Sequence, residues 1–178
     1  TPCGTLFPYT TLFRSLPIQS TKDLNAPRAA RLAADGVSCS MCHQIQENKL
    51  GTEESFTAGF VVDDKTPVGK RQMFGPYDVQ DGYSRIMESS ILWIPTKKTH
   101  IQDSALCGSC HTLYTHTRGP NGETIGQLPE QVPYLEWKHS DYYEVRSCQS
   151  CHMPEIEGKA PITSVLGEDR ENFSRHVF

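Results

Sequence analysis

Hydrophobic positions in this chain come in short patches, and polar stretches rich in glycine and proline separate them. The clearest helical pattern runs from Leu24 to Gly36. Asn25 can cap its start, Pro27 sits in the first turn and Gly36 supplies a left-handed stop. Lys49 to Gly82, rich in Gly, Pro, Thr and Asp, reads as a loop excursion with a short strand at Phe60 to Val62. Tyr83 to Ser90 predicts a short helix that Trp93-Ile94-Pro95 breaks. Asp103 or Ser104 caps another helix, running through Thr112 to Tyr114. Gly119-Pro120-Asn121-Gly122 is a turn cluster, and Pro133 opens a third helix from Tyr134 to about Tyr143. The chain after Pro154 is irregular again. The pattern predicts a mostly α chain with long irregular loops and little or no sheet.

Composition sharpens that picture. The hydrophobic fraction is 37% of 178 residues, and mean hydropathy is -0.49. Counting glycine brings the apolar share only near the low end for globular domains, so the side-chain core would be thin unless something else fills it. The net charge of -4 comes without a basic stripe, which argues against nucleic acid as a partner. Apolar runs such as Gly59 to Val62 and Ile91 to Ile94 are far too short to span a bilayer.

Six of the seven cysteines fall in three identical frames. These are Cys39-Ser-Met-Cys42-His43, Cys107-Gly-Ser-Cys110-His111 and Cys148-Gln-Ser-Cys151-His152. At this Cys and His content one such frame arises by chance roughly once per hundred chains, and three well under once per million. The frame has a specific chemistry. Two thioethers hold the edge of one porphyrin, and the following histidine is placed to ligate its iron, which is a c-type haem attachment site. Paired cysteines also build structural zinc sites, but zinc does not require His after every second Cys, and three pairs fit four-coordinate sites awkwardly. A thioredoxin-like redox disulfide needs one motif after a strand, not three along the chain. The cofactor expectation is therefore three or more haem c groups with their iron.

His43, His111 and His152 are the proximal ligands by position. His100, His116, His139 and His176 remain for the opposite faces. His100 lies seven residues before Cys107, at the mouth of that helix, and His176 follows the last frame. His139 lies on the Tyr134 helix beside Trp137. These three are the candidate distal ligands. On a continued helix His116 would point about 140° away from His111, which makes it the reserve. Methionine is the other common sixth ligand. Met73 and Met87 are the candidates of that type, although packing is their ordinary role. Irons held by two histidines only take up and release electrons, so no catalytic residue is assigned. An open iron with Lys97, Lys98 or Arg118 nearby would instead indicate an enzyme.

The strings Cys107-Gly-Ser-Cys-His-Thr-Leu-Tyr-Thr, Glu136-Trp137-Lys-His-Ser140 and Cys148-Gln-Ser-Cys-His152-Met153-Pro154 carry a resemblance. From about Asp35 onward the chain resembles periplasmic multihaem cytochromes c of the broad group containing hydroxylamine oxidoreductase and its tetrahaem electron acceptor. That resemblance implies a helical, haem-packed fold, bis-histidine haems and a location outside the cytoplasm. It also implies redox partner proteins or quinol-linked donors, within a larger haem protein or complex. Members usually carry four or more haems, and only three frames occur here. Arg175-His176-Val177-Phe178 resembles an H-x-F segment that normally continues. The Lys-ligated C-x-x-C-K frame of cytochrome c nitrite reductases is absent from the sequence. The functional expectation is electron transfer; the alternative is part of a multihaem oxidoreductase acting on a small nitrogen or sulfur compound.

Thr5 to Ser15, TLFPYTTLFRS, resembles the translation of a widely used sequencing-adapter oligonucleotide. Residues 1–15 are therefore set aside as non-native, and Cys3 needs no role. Residues 16–178 are expected to form one multihaem domain, truncated at both ends. Thr1 to Ser20 lacks the basic start, apolar stretch and cleavage site of a secretory signal. Extracytoplasmic localisation rests on where haem is covalently attached.

Overall fold

In the computed structural model, residues 37–161 and 167–176 are described. The helix expected from Leu24 to Gly36 and the stretch 1–15 lie outside them. The first element is a single helical turn, α1 (Cys39–His43). A short 3-10 turn follows at Glu53–Ser55 inside the expected loop excursion. Of the strand expected at Phe60 to Val62, Val62 alone pairs, bridging Ile45, while Gln46 N–H donates to Val61 O at 2.8 Å.

The next unit is strand, helix, strand. β1 (Arg71–Gly75) pairs in parallel with β2 (Trp93–Lys97), from Arg71 opposite Trp93 to Gly75 opposite Lys97. The connection is α2 (Asp81–Ile91), which contains the helix expected at Tyr83 to Ser90. Parallel strands need such a crossover. Leu92, at φ 60°, closes α2 in the left-handed region, and its N–H donates to Glu88 O at 2.9 Å. Trp93-Ile94-Pro95 therefore breaks the helix by starting a strand.

A 3-10 turn at Thr99–Gln102 leads into α3 (Ser104–Gly108). Asp103 is the cap, its carboxylate accepting from Ala105 N–H at 2.8 Å. The chain then becomes an antiparallel hairpin of β3 (Leu113–Arg118) and β4 (Thr124–Gln131) across the Gly119–Gly122 turn. After it come α4 (Pro133–Lys138) and α5 (Cys148–His152). A last pair joins β5 (Ala160–Pro161) to β6 (Asp169–Arg170).

The mostly α, haem-packed fold with little or no sheet is thus overturned. The described residues hold three two-stranded sheets, and α2 alone among their α-helices exceeds two turns. The reason is legible at Leu113-Tyr-Thr-His-Thr-Arg118. Threonine and tyrosine favour a pleated strand, and a partner strand eight residues long lies across a five-residue connection. Gly122 supplies φ 82°, and Arg118 reaches over the turn to Gly122 O at 3.2 Å and Thr124 Oγ1 at 3.0 Å. The helix expected through Thr112 to Tyr114 accordingly stops at Gly108. α4 also ends early, at Lys138. Ser140 Oγ–H donates to Trp137 O at 2.8 Å and accepts from Tyr142 N–H at 3.2 Å, which turns the chain.

Contacts divide the chain into two units, Thr1–Cys42 and His43–Phe178. In the described part of the first, Met41 N–H donates to Ser38 O at 2.9 Å. The second unit holds the sheets and the core. Its buried apolar residues are Ile45, Phe74, Ile101, Ala105, Leu113 and Tyr134. Ser55, His100, Ser104, Ser109, Thr112 and Gln149 are buried with them. Among the described residues the interior is therefore as polar as it is apolar, and hydrogen bonds hold what burial alone does not.

Gly108 packs closely against the ring of Tyr134. A Cβ there would lie 2.6 Å from Cγ of Tyr134 and 2.7 Å from its Cδ1. Gly108→Ala should cost about 1–3 kcal/mol by overpacking, read as a lower denaturant midpoint at unchanged m-value.

Candidate functional site

Each Cys-x-x-Cys-His stretch folds as one helical turn. α1 and α5 coincide with the first and third frames. The second begins in α3 and continues as a turn, with Cys110 N–H and His111 N–H both donating to Cys107 O, at 3.1 and 2.8 Å. Positions i, i+3 and i+4 of a helix share one face. Both thiols and the imidazole of each frame are thereby presented to the same side. Ser147 caps α5, its hydroxyl accepting from Ser150 N–H at 3.2 Å.

The second and third frames adjoin. Cys148 N–H donates to Ser104 Oγ at 3.0 Å, and Gln149 Nε2 donates to Asp103 O at 2.8 Å and Ile101 O at 3.4 Å. Cys107 hydrogen-bonds the Cys148 sulfur. That bond, aided by Ser104 and by the nearby His152, outweighs burial and brings the Cys148 thiol down to about 6. Burial pushes the Cys110 thiol up. Burial, with the charge of His152, holds His111 below the usual imidazole range, which favours the neutral ring that can bind a metal.

Neighbouring loops fix the second frame further. Thr57 and Ala58 sit at φ 55° and 62°, a region costing roughly 1–2 kcal/mol for each side-chain-bearing residue. Their N–H groups donate to Thr112 O and Ser109 O, both at 2.8 Å, which offsets that strain. Tyr134 stacks on Trp137 at 5.7 Å, and Trp137 Nε1–H donates to Arg146 O at 2.7 Å. The Glu136-Trp137-x-x-Ser140 string therefore builds the turn that delivers the chain to α5.

His43, which belongs to the second unit, has its Nδ1–H donating to Phe74 O at 2.6 Å. That fixes the tautomer with the lone pair on Nε2, the arrangement usual for a metal-bound histidine. Its ring centre lies 6.1 Å from that of His176. His100 is buried against Phe74, with ring centres 5.1 Å apart, and its Nε2–H donates to Ile45 O at 2.8 Å. Its Nδ1 is buried without a hydrogen-bond partner, so any bond from His100 to a metal would use that atom. His139 is exposed, and its Nδ1–H donates to Leu135 O at 2.7 Å. His116 is exposed on β3, opposite Gln127, so the helical geometry that made it a reserve ligand does not exist. His152 is exposed at the end of α5.

The cations considered for an enzymatic site are spread and engaged. Lys97 pairs with Asp78 at 2.5 Å, Lys98 with Glu47 at 2.7 Å, and Arg118 binds its own turn. Met73 lies in β1 opposite Pro95, and Met87 lies on α2. Among the described residues no three His, Cys, Asp or Glu side chains converge on one point as a bare metal ion requires, and none of the six frame cysteines is in a disulfide. A haem iron takes only two ligands from the protein, so the fit to haem rests on the frames themselves. Their donor sets, two thiols and an imidazole on one helical face, suit that group. Among the described residues no helix is long and apolar enough to cross a membrane.

Sequence reasoning found the frames but not the groups that seat them. Phe74 contributes a backbone carbonyl, which leaves no signature. Ser104 and Gln149 had one weak signal each, a capping position and the second residue of a frame. No protein family, curated protein or solved structure matches the chain.

The Cys107 to Cys148 contact makes a direct prediction for the protein without attached haem. In Cys107→Ala, alkylation of Cys148 should shift its midpoint from about pH 6 up toward the ordinary thiol range near 8.5. Because the folded thiol is the more acidic, wild-type stability from this group is present above the unfolded pKa and is lost as pH falls through about 6. The variant should lose that slope. Peptide mass spectrometry of alkylation against pH checks the first effect, and denaturant midpoints between pH 6 and 9 the second.

Proposed function

We propose that this chain carries three covalently attached haem c groups and transfers electrons between redox partners. The observation that carries the reading is that three identical frames each turn both cysteines and the histidine to one helical face. Cys39 and Cys42, Cys107 and Cys110, and Cys148 and Cys151 are the thioether donors, and His43, His111 and His152 the proximal ligands. The haem supplies a one-electron centre when bound. The chain's own residues tether it, orient the imidazole and set adjoining attachment points.

The abutting second and third frames support electron transfer, since hops between centres require attachment points close together. Phe74 O on His43 Nδ1 supports iron ligation through Nε2. The scattered, ion-paired lysines weigh against an oxidoreductase pocket for a small nitrogen or sulfur compound. The partners in this reading are redox proteins or quinol-linked donors. The location is periplasmic or otherwise extracytoplasmic, where c-type haem is attached.

Expression with a cytochrome c maturation system should give three haems per chain by pyridine haemochromogen assay, with a low-spin ferric spectrum. Retention of zinc without haem would refute the reading. Three haems with one high-spin iron per chain would replace electron transfer by the enzymatic alternative.

A further inference from the structure

We infer that His176 is the second axial ligand of the iron bound by His43. The inference rests on the haem reading and adds a specific pairing to it. The two ring centres are 6.1 Å apart, with ring planes inclined by 33°. An imidazole nitrogen lies roughly 1.1 Å from its ring centre, so nitrogens facing each other across this gap stand about 4 Å apart. That is twice a metal–imidazole bond of about 2.0 Å. It is too long for a hydrogen bond, which ends near 3.2 Å. A 33° inclination is compatible with axial ligation, because each ring turns about its own metal–nitrogen bond.

The surrounding backbone fixes this separation from both sides. On one side, Phe74 O takes the Nδ1–H of His43 and leaves Nε2 as the donor atom. On the other, the segment carrying His176 is tied down residue by residue. Ile156 N–H donates to Phe173 O and Arg175 N–H to Pro154 O, both at 3.0 Å, and Glu155 bridges Ser174. Tyr77, just beyond β1, donates its hydroxyl hydrogen to Asn172 O at 3.0 Å. β1, through Phe74, and the residues just after it, through Tyr77, thus hold both histidines. Two histidines from distant segments are set at the spacing of two ligands on one metal.

With His176 in the sixth position, that iron is closed to exogenous ligands and restricted to electron transfer. The test uses the haem-loaded protein and reads spin state, not turnover. His176→Ala should convert one of the three ferric haems to high spin and open it to imidazole or cyanide. His176→Met should keep all three low-spin and raise the potential of one, as Met ligation does relative to His. The His43→Ala/His176→Ala double variant should perturb or lose a single haem, as His43→Ala does alone, because both substitutions act on one iron. An unchanged low-spin spectrum in His176→Ala would overturn the assignment, and so would two perturbed haems in the double variant. Absence of covalent haem in the wild-type protein would remove the underlying reading itself, an outcome the haemochromogen assay separates from the other two.

Discussion

The segment from His100 to Ser104, in which His100, Ile101 and Ser104 are buried, is the constraint on which the rest of the second unit depends. Its polar groups face in several directions at once. His100 Nε2–H donates to Ile45 O, two residues past His43, and the His100 ring packs edge-on against Phe74, whose carbonyl holds His43. Ile101 O and Asp103 O accept from Gln149, and Ser104 Oγ accepts from Cys148 N–H. The same segment runs on into the helix of Cys107. One short stretch therefore fixes the positions of His43, the second frame and the third frame. Each such hydrogen bond contributes roughly 0.5–1.5 kcal/mol net, while leaving a buried partner unsatisfied costs about 1–3 kcal/mol. Misplacing the segment would strand several buried groups together.

This polar framework accounts for a modest hydrophobic interior. Among the described residues the buried apolar side chains are Ile45, Phe74, Ile101, Ala105, Leu113 and Tyr134, a small set beside the hydrogen bonds that place the second and third frames. Hydrogen bonds are directional, so they set the orientation of a turn as well as its location. The strained backbone at Thr57 and Ala58 belongs to the same scheme. Left-handed conformations at non-glycine residues persist there because their N–H groups reach the end of the second frame.

Chemistry and architecture are separable in this chain. The frames are local objects, each a helical turn whose two thiols and imidazole lie on one face through the helical period. In the second unit, the βαβ unit carries Phe74, whose carbonyl holds His43, but contributes no side chain to the donor sets. Loops and strands could be exchanged without altering the i, i+3, i+4 display, whereas the adjoining of the second and third frames depends on the segment around Ser104.

The sequence by itself determined several features that depend on spacing within a few residues. The three frames, the cap at Asp103, the Gly119–Gly122 turn and the helix around Tyr83 to Ser90 are all of that kind. It misjudged the fold class, because Leu113–Arg118 becomes a strand through pairing with Thr124–Gln131, and strand pairing is decided between segments. Only the tertiary structure decided that Cys107 meets Cys148, that Phe74 offers its carbonyl to His43, and that His176 lies 6.1 Å from His43. Those relations join residues far apart in the chain, one of them through a backbone carbonyl that every residue possesses, so spacing along the sequence does not announce them.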